Sequence, residues 1–269
     1  MAVTTMDGVL AGMLPPELFL KVAATGEAVG GFHSTAFMAG RPGAMVAPTP
    51  GLAGAALTAY AGQVPFPAAV GGKNVHLSRL SASQAGNVGT VILADRLWHN
   101  SGIVVTTTTA QTVNSVAWPA RDKAGATAGD GVLVGIEVST ATTNAAAISN
   151  MTMSYTNEAG TAGRTATAAF PATAVAGTFV PFALADGDKG VRSVQTLTLG
   201  TSLVAGVVHL VAYREIAAIG MPVVGAETTQ DPFALGLPRM YDASVPWLLY
   251  HLASTAAGVV RGSIIYTQG

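Results

Sequence analysis

Asp95, Arg96, Trp98 and His99 fall within five consecutive positions of the stretch LADRLWHNSGIVVTTTTAQTVNS, residues 93–115, and four threonines follow at 106–109. A carboxylate and an imidazole this close are the raw material of general acid–base chemistry. The stretch TVILADRLWH alternates as a strand, however, which sets Asp95 on the face of Val91, Leu93 and Leu97 and Arg96 on the face of Ile92, Ala94 and Trp98. Neighbours on a strand point apart, so Asp95 and Arg96 each require a partner of their own. Arg96 and Trp98, sharing a face, form a candidate interface anchor, since Arg and Trp carry much of the energy of protein contacts. The plainer alternative is a sheet-edge tryptophan beside a solvated arginine. Together these features favour a structural joint over an active site.

No other constellation completes a catalytic, cofactor or metal site. The histidines His33, His76, His99, His209 and His251 show no metal-ligand spacing, and His209, between Val207 and Val211 in a strand pattern, reads as a hydrogen-bonded core histidine. Asp186-Gly-Asp188 opens like a calcium loop without the later acidic ligands, and so reads as a tight turn. PAAVGGKN lacks both ends of a phosphate loop, GDGVLVG misses the dinucleotide spacing, and no G-x-S-x-G is present. With no cysteine, thiolate zinc sites and thiol nucleophiles are excluded as well. The expectation is a protein that is not an enzyme and has no cofactor.

Composition says how such a chain would earn its stability. Of the 269 residues 50% are hydrophobic and only 10% charged, against roughly a quarter in an ordinary soluble domain. A surface so poor in charge suits burial against neighbours. The net charge of −1, with basic residues scattered, argues against direct nucleic-acid binding. The chain has no apolar run long enough to span a membrane as a helix, and no basic segment precedes its first apolar run as a secretory signal requires. Neither a membrane nor a nucleic acid is therefore an expected partner.

Two regions are expected to carry these residues. Residues 1–87 read as an irregular N-terminal arm with short helices at LPPELFLKVAA and TPGLAGAALTAY, each with proline at its start. Their apolar residues, among them Phe19, Phe32 and Phe37, are candidates for contact with a neighbouring subunit, the alternative being a flexible leader. Residues 88–269 read as one antiparallel β-sandwich, jelly-roll-like, making the chain mainly β. GVLVGIEVST alternates cleanly, MTMSYT places Met151, Met153 and Tyr155 on one face, and NEAGTAG forms a hairpin loop. Further strands are expected at TFVPFAL, VRSVQTLTLG, GVVHLVAYREI, PWLLYHLAS and VVRGSIIYTQ, with another over Ile103–Thr109. The proline-rich connection GMPVVGAETTQDPFALGLPRMYDASVP is long enough to be functional or packed on a partner.

At ADRLWHNSGIVVTTTTAQTVNS the sequence resembles a group of virion structural proteins of tailed bacteriophages. The resemblance continues through AGRPGA, PGLAGAALTAYAGQ, GDGVLVGIEVST, MTMSYTNEAGTAGRT, GVRSVQTLTLG and HLVAYR. It implies a virion component, made in the host cytoplasm, without catalytic residues. The role expected from it is a capsid decoration or cement protein, with itself and the major capsid protein or other virion subunits as partners. Because such proteins commonly occupy three-fold positions, the expected homo-oligomer is a trimer. A tail, collar or baseplate subunit is the alternative, and a host-surface carbohydrate-attachment module the third, disfavoured by an aromatic share of only 6%.

Overall fold

The computed structural model describes residue 3 and residues 5–22, 31–86, 88–253 and 258–269. The chain opens with helix α1 (Met6–Ala11), β1 (Glu17–Val22), β2 (Phe32–Ser34), a 3-10 turn at Thr35–Phe37, and the short strands β3 (Gly40–Arg41) and β4 (Ala55–Ala56). Long strands β5 (Val75–Ala85) and β6 (Gly89–His99) follow, then β7 (Gln111–Thr112), β8 (Val132–Thr140), β9 (Ile148–Asn157), β10 (Arg164–Phe170), β11 (Thr178–Pro181) and β12 (Val191–Thr198). The last third holds β13 (Val207–Met221), β14 (Thr228–Gln230), α2 (Pro232–Leu235), β15 (Arg239–Met240), β16 (Pro246–Leu252) and β17 (Val259–Gln268). The fold is mainly β, and its paired strands are antiparallel.

In place of one two-sheet sandwich, the pairings build three sheets. The central one runs β13-β8-β11-β2-β16-β6 and returns to β13, a closed barrel with β4 appended at the end of β6. Closure is possible because β13 is 15 residues long and pairs along one edge with β8 and along the other with β6. A four-stranded sheet, β10-β9-β12-β7, lies to one side, and a sheet ordered β14-β5-β17-β1-β3, with β15 also on β5, to the other.

Three apolar clusters follow from this arrangement. One joins the outer side of β8 and β13 (Val132, Val134, Ile136, Val208, Leu210) to Met151, Met153, Tyr155, Val194 and Leu197 of the four-stranded sheet. A second joins Val91, Leu93 and Ile219 of the barrel to Phe19, Leu77, Leu80, Ile264 and Tyr266 of the β14–β3 sheet. The third fills the barrel with Ile92, Ala94, Phe179, Val211, Tyr213, Trp247 and Leu249. The strands β6 and β8, and β13 over Val208–Arg214, are thus buried on both faces, where the barrel wall is covered by the flanking sheets.

The interior is tightly fitted at β8. A Cβ added at Gly135 would lie 2.3 Å from Cζ of the Phe179 ring, which fills the barrel at that level. Gly135→Ala is therefore expected to destabilise the fold by about 1–3 kcal/mol, the usual range for overpacking a rigid core. A denaturant titration tests it, and a midpoint equal to wild type would contradict the packing described.

Several expectations are corrected here. The division at residue 87 does not follow the strand pairing: β1 and β5 pair with β17, and β2 sits in the barrel wall between β11 and β16. ELFLKV is a strand and not a helix, because long-range pairing with Val259–Ile264 outweighs its weak helical pattern. TPGLAGAALTAY holds turns and the two-residue β4, and among the described residues the α-helices are α1 and α2 instead. Ile103–Thr109 is not a strand, and only Gln111–Thr112 pairs, with β12. The proline-rich connection packs on its own chain, as β14 and β15 along β5. The strand at GVLVGIEVST and the hairpin at MTMSYTNEAGTAGRT form where alternation placed them, with Met151, Met153 and Tyr155 fully buried.

Candidate functional site

The charged stretch of β6 becomes a buried joint. Asp95 accepts hydrogen bonds from Ser244 Oγ at 2.9 Å and the Val245 N–H at 2.8 Å, and its Oδ2 lies 3.1 Å from Arg121 Nε. Arg121 donates to the carbonyls of Ala243 and, at 3.0 Å, Arg96, so it pins the 119–131 loop to β6 and to the turn before β16. That loop is rigid by its own means, since the Asp122 carboxylate accepts the N–H groups of Ala124, Ala126 and Gly129 at 2.9, 2.7 and 3.0 Å. Asp95 and Arg96 therefore do find separate partners.

Arg96 points into the barrel. Its guanidinium pairs with Glu137 of β8, both side chains being fully buried. Its Cζ lies 4.8 Å from the centroid of Tyr60 and 4.7 Å from Trp247, a cation held between two aromatic faces. Met45 Sδ accepts from its Nη1 at 3.6 Å. His99 closes this cluster, stacked on His209 with centroids 4.6 Å apart. His209 contacts the Asn100 carbonyl through Nδ1 and Ser139 Oγ through Nε2, each at 2.8 Å, in keeping with a core histidine. Burial, then the nearby Arg96 and His209, drives the His99 pKa down to about 2, and burial lowers that of His209. Both rings are neutral at pH 7.

Trp98 does not join Arg96. The β6–β13 register shifts between Ala212 and Tyr213, where they oppose Trp98 and Arg96 respectively, leaving Leu97 as a bulge. Trp98 consequently packs in the cluster facing the four-stranded sheet, near Trp118 at 6.3 Å, and donates to the Ala53 carbonyl at 3.0 Å. Arg96 and Trp98 are both 0% exposed, so neither is a surface anchor of this chain. Phe19 is buried in the core between the barrel and the β14–β3 sheet. Phe32 and Phe37 are half-buried against the barrel cluster, Phe32 against His251. Arg96, Trp98 and Phe19 are thus core residues of this chain, while Phe32 and Phe37 lie at the margin of the barrel cluster.

The Asp186-Gly-Asp188 turn is structural too. Asp188 accepts from Arg164 Nε and Asn157 Nδ2 at 2.8 Å each and from the Tyr155 hydroxyl, and these bonds, led by Arg164, hold its pKa at about 2. Among the described residues no cluster of His, Asp and Glu could hold a metal ion.

What sequence reasoning missed is on the outer face of the β14–β3 sheet. Strand β1 turns Phe19 and Lys21 inward and leaves Leu18, Leu20 and Val22 exposed, an alternation opposite to the one its sequence suggests. Lys21 Nζ donates to the Met38 and Gly43 carbonyls, at 3.4 and 3.3 Å, and burial lowers its pKa to about 8. A groove of about 510 Å³ opens here, lined by Leu18, Leu20, Arg41, Ser81, Glu227 and Arg261 among others. Leu20 lies opposite Arg41 on one side and Arg261 on the other. Arg261 Nε reaches Ser83 Oγ at 3.3 Å, and neither arginine has an ion-pair partner among the described residues. Along the other edge of this groove-side strand, β3 covers only Leu20 and Lys21. The lining offers apolar surface beside positive charge.

Among the described residues no helix is long and apolar enough to cross a membrane. No protein-family model matches the chain, and no curated protein matches it. Among solved structures, the crystal structure of the infectious bursal disease virus VP2 subviral particle aligns over 94% of this chain and 80% of that chain, at 9% identity and a TM-score of 0.18, an overlap that decides neither fold nor function.

Proposed function

We propose that the chain is a structural subunit of a tailed-phage virion, acting as a decoration or cement protein on the head. The observation that carries the reading is the exposed apolar groove of the β14–β3 sheet in a chain with only 10% charged residues. Surface of that kind is stabilised by being covered, at roughly 25 cal/mol per Å² of apolar area removed from water. The tied interior supports the same reading, since a subunit that braces a shell works by rigidity. Its partners are further copies of itself, in a trimer, and the major capsid protein.

The test is a reconstruction of the whole particle together with particles lacking the protein. Density for the chain on the head, and particles that lose their genome at lower temperature without it, are the expected results. Density on the tail, collar or baseplate would replace the decoration role, and absence from purified particles would overturn the reading altogether.

A further inference from the structure

We infer that the groove between Leu18, Leu20, Arg41 and Arg261 receives the Phe233 side chain of a second copy of this chain, so that copies join head to tail. This rests on the proposed self-association and names the surfaces that perform it.

Phe233 is 80% exposed at the tip of α2, while Phe19, Phe170, Phe179 and Phe182 are buried. Leaving so large an apolar side chain in water is costly, yet the local structure holds it out firmly. Asp231 caps α2, its Oδ1 accepting the N–H groups of Phe233 at 3.1 Å and Ala234 at 2.9 Å. Pro232 occupies the first turn, and Gly236 ends the helix at φ +67°, a left-handed value that suits glycine. A side chain presented on a pre-formed turn loses little entropy when bound.

Groove and knob are complementary. The groove, at about 510 Å³, has room for a benzyl side chain, and its exposed leucines supply an apolar wall. Arg41 and Arg261 bracket that wall, outnumbering Glu227, so the rim favours an anion. Asp231 brings one beside Phe233, with Oδ2 free of the capping bonds. Knob and groove are different surfaces, so the contact repeated head to tail closes a ring of the kind the proposed trimer requires.

Sedimentation of the full chain tests this with two variants, Leu20→Glu in the groove and Phe233→Ser on the knob, and Val46→Glu as a control at another side chain, 87% exposed. Wild type and control are expected to form the same closed oligomer at micromolar concentration. Each variant should weaken assembly by at least about 30-fold, the loss typical of a hot spot, with an unchanged β-sheet spectrum and melting temperature. Mixing the two variants should yield a 1:1 dimer, since one retains the groove and the other the knob. An oligomer that both variants leave intact would overturn the assignment of these surfaces while self-association stands. A wild-type monomer at about 100 µM, a concentration far above the dissociation constant of a stable interface, would overturn both the contact and the self-association beneath it. The particle reconstruction is independent of either outcome.

Discussion

Glu137→Ala is expected to destabilise the protein by about 3–5 kcal/mol, because it strands the Arg96 guanidinium inside the barrel without its counter-charge. Both side chains are fully buried, and the aromatic faces of Tyr60 and Trp247 cannot replace a carboxylate. The equilibrium midpoint in urea should fall with the slope unchanged, and the melting temperature should drop by about 10 °C, taking 2–4 °C per kcal/mol for a domain of this size. The double variant Arg96→Met/Glu137→Leu is expected to regain most of the loss, since an apolar pair of similar volume satisfies a dry interior about as well as an ion pair. Strong non-additivity is therefore the signature. Additive losses, or a single variant within about 0.5 kcal/mol of wild type, the range of an ordinary surface substitution, would mean that the pair does not act as a buried unit.

That pair shows what could be read from the sequence and what could not. Alternation located β6, β8, β9 and β10, and short apolar or β-branched runs between turn residues located β11, β12, β13, β16 and β17. Alternation also makes Glu137 look solvent-facing, and only closure of the barrel turns that second face inward. Two charges of opposite sign within apolar strands of a charge-poor chain were the available signal. Arg121 gave none, since it stands in a polar loop whose fold depends on Asp122 capping three of its N–H groups.

The strand β1 was illegible for a different reason. Its solvent side carries leucines and its buried side carries Lys21, so hydrophobicity points the wrong way, and the helical reading of LPPELFLKVAA relied on that false cue. Register with β17, near the opposite end of the chain, decides the conformation. The same inversion hid the exposed groove and made the buried Phe19 look like an anchor. For Arg96 and Trp98, alternation was extended two residues too far, through a bulge that only the shift against β13 reveals. The joint itself was legible, from the crowding of charge in β6; its partners were not, because they come from elements distant in sequence.

Acid should weaken the fold below about pH 6.5, and His99 supplies the clearest part of the loss. The folded protein holds this ring neutral, with its pKa lowered from 6.5 to about 2 by burial and by Arg96 and His209 beside it. The unfolded chain binds a proton that the folded chain refuses, so the stability contributed by the neutral ring is complete above pH 6.5 and declines as pH falls toward 2. The slope is about 1.4 kcal/mol per pH unit for one histidine, or about 2–3 kcal/mol between pH 6.5 and 4.5. His209, also lowered by burial, acts in the same sense, whereas Glu215, raised by desolvation, gains stability as pH falls and opposes it. Comparison with His99→Phe, which keeps a ring against His209, cancels both of those contributions. Urea unfolding between pH 7 and 4.5 should give a steeper decline for wild type than for the variant by about one proton, while parallel curves would show that His99 can be protonated without opening the barrel.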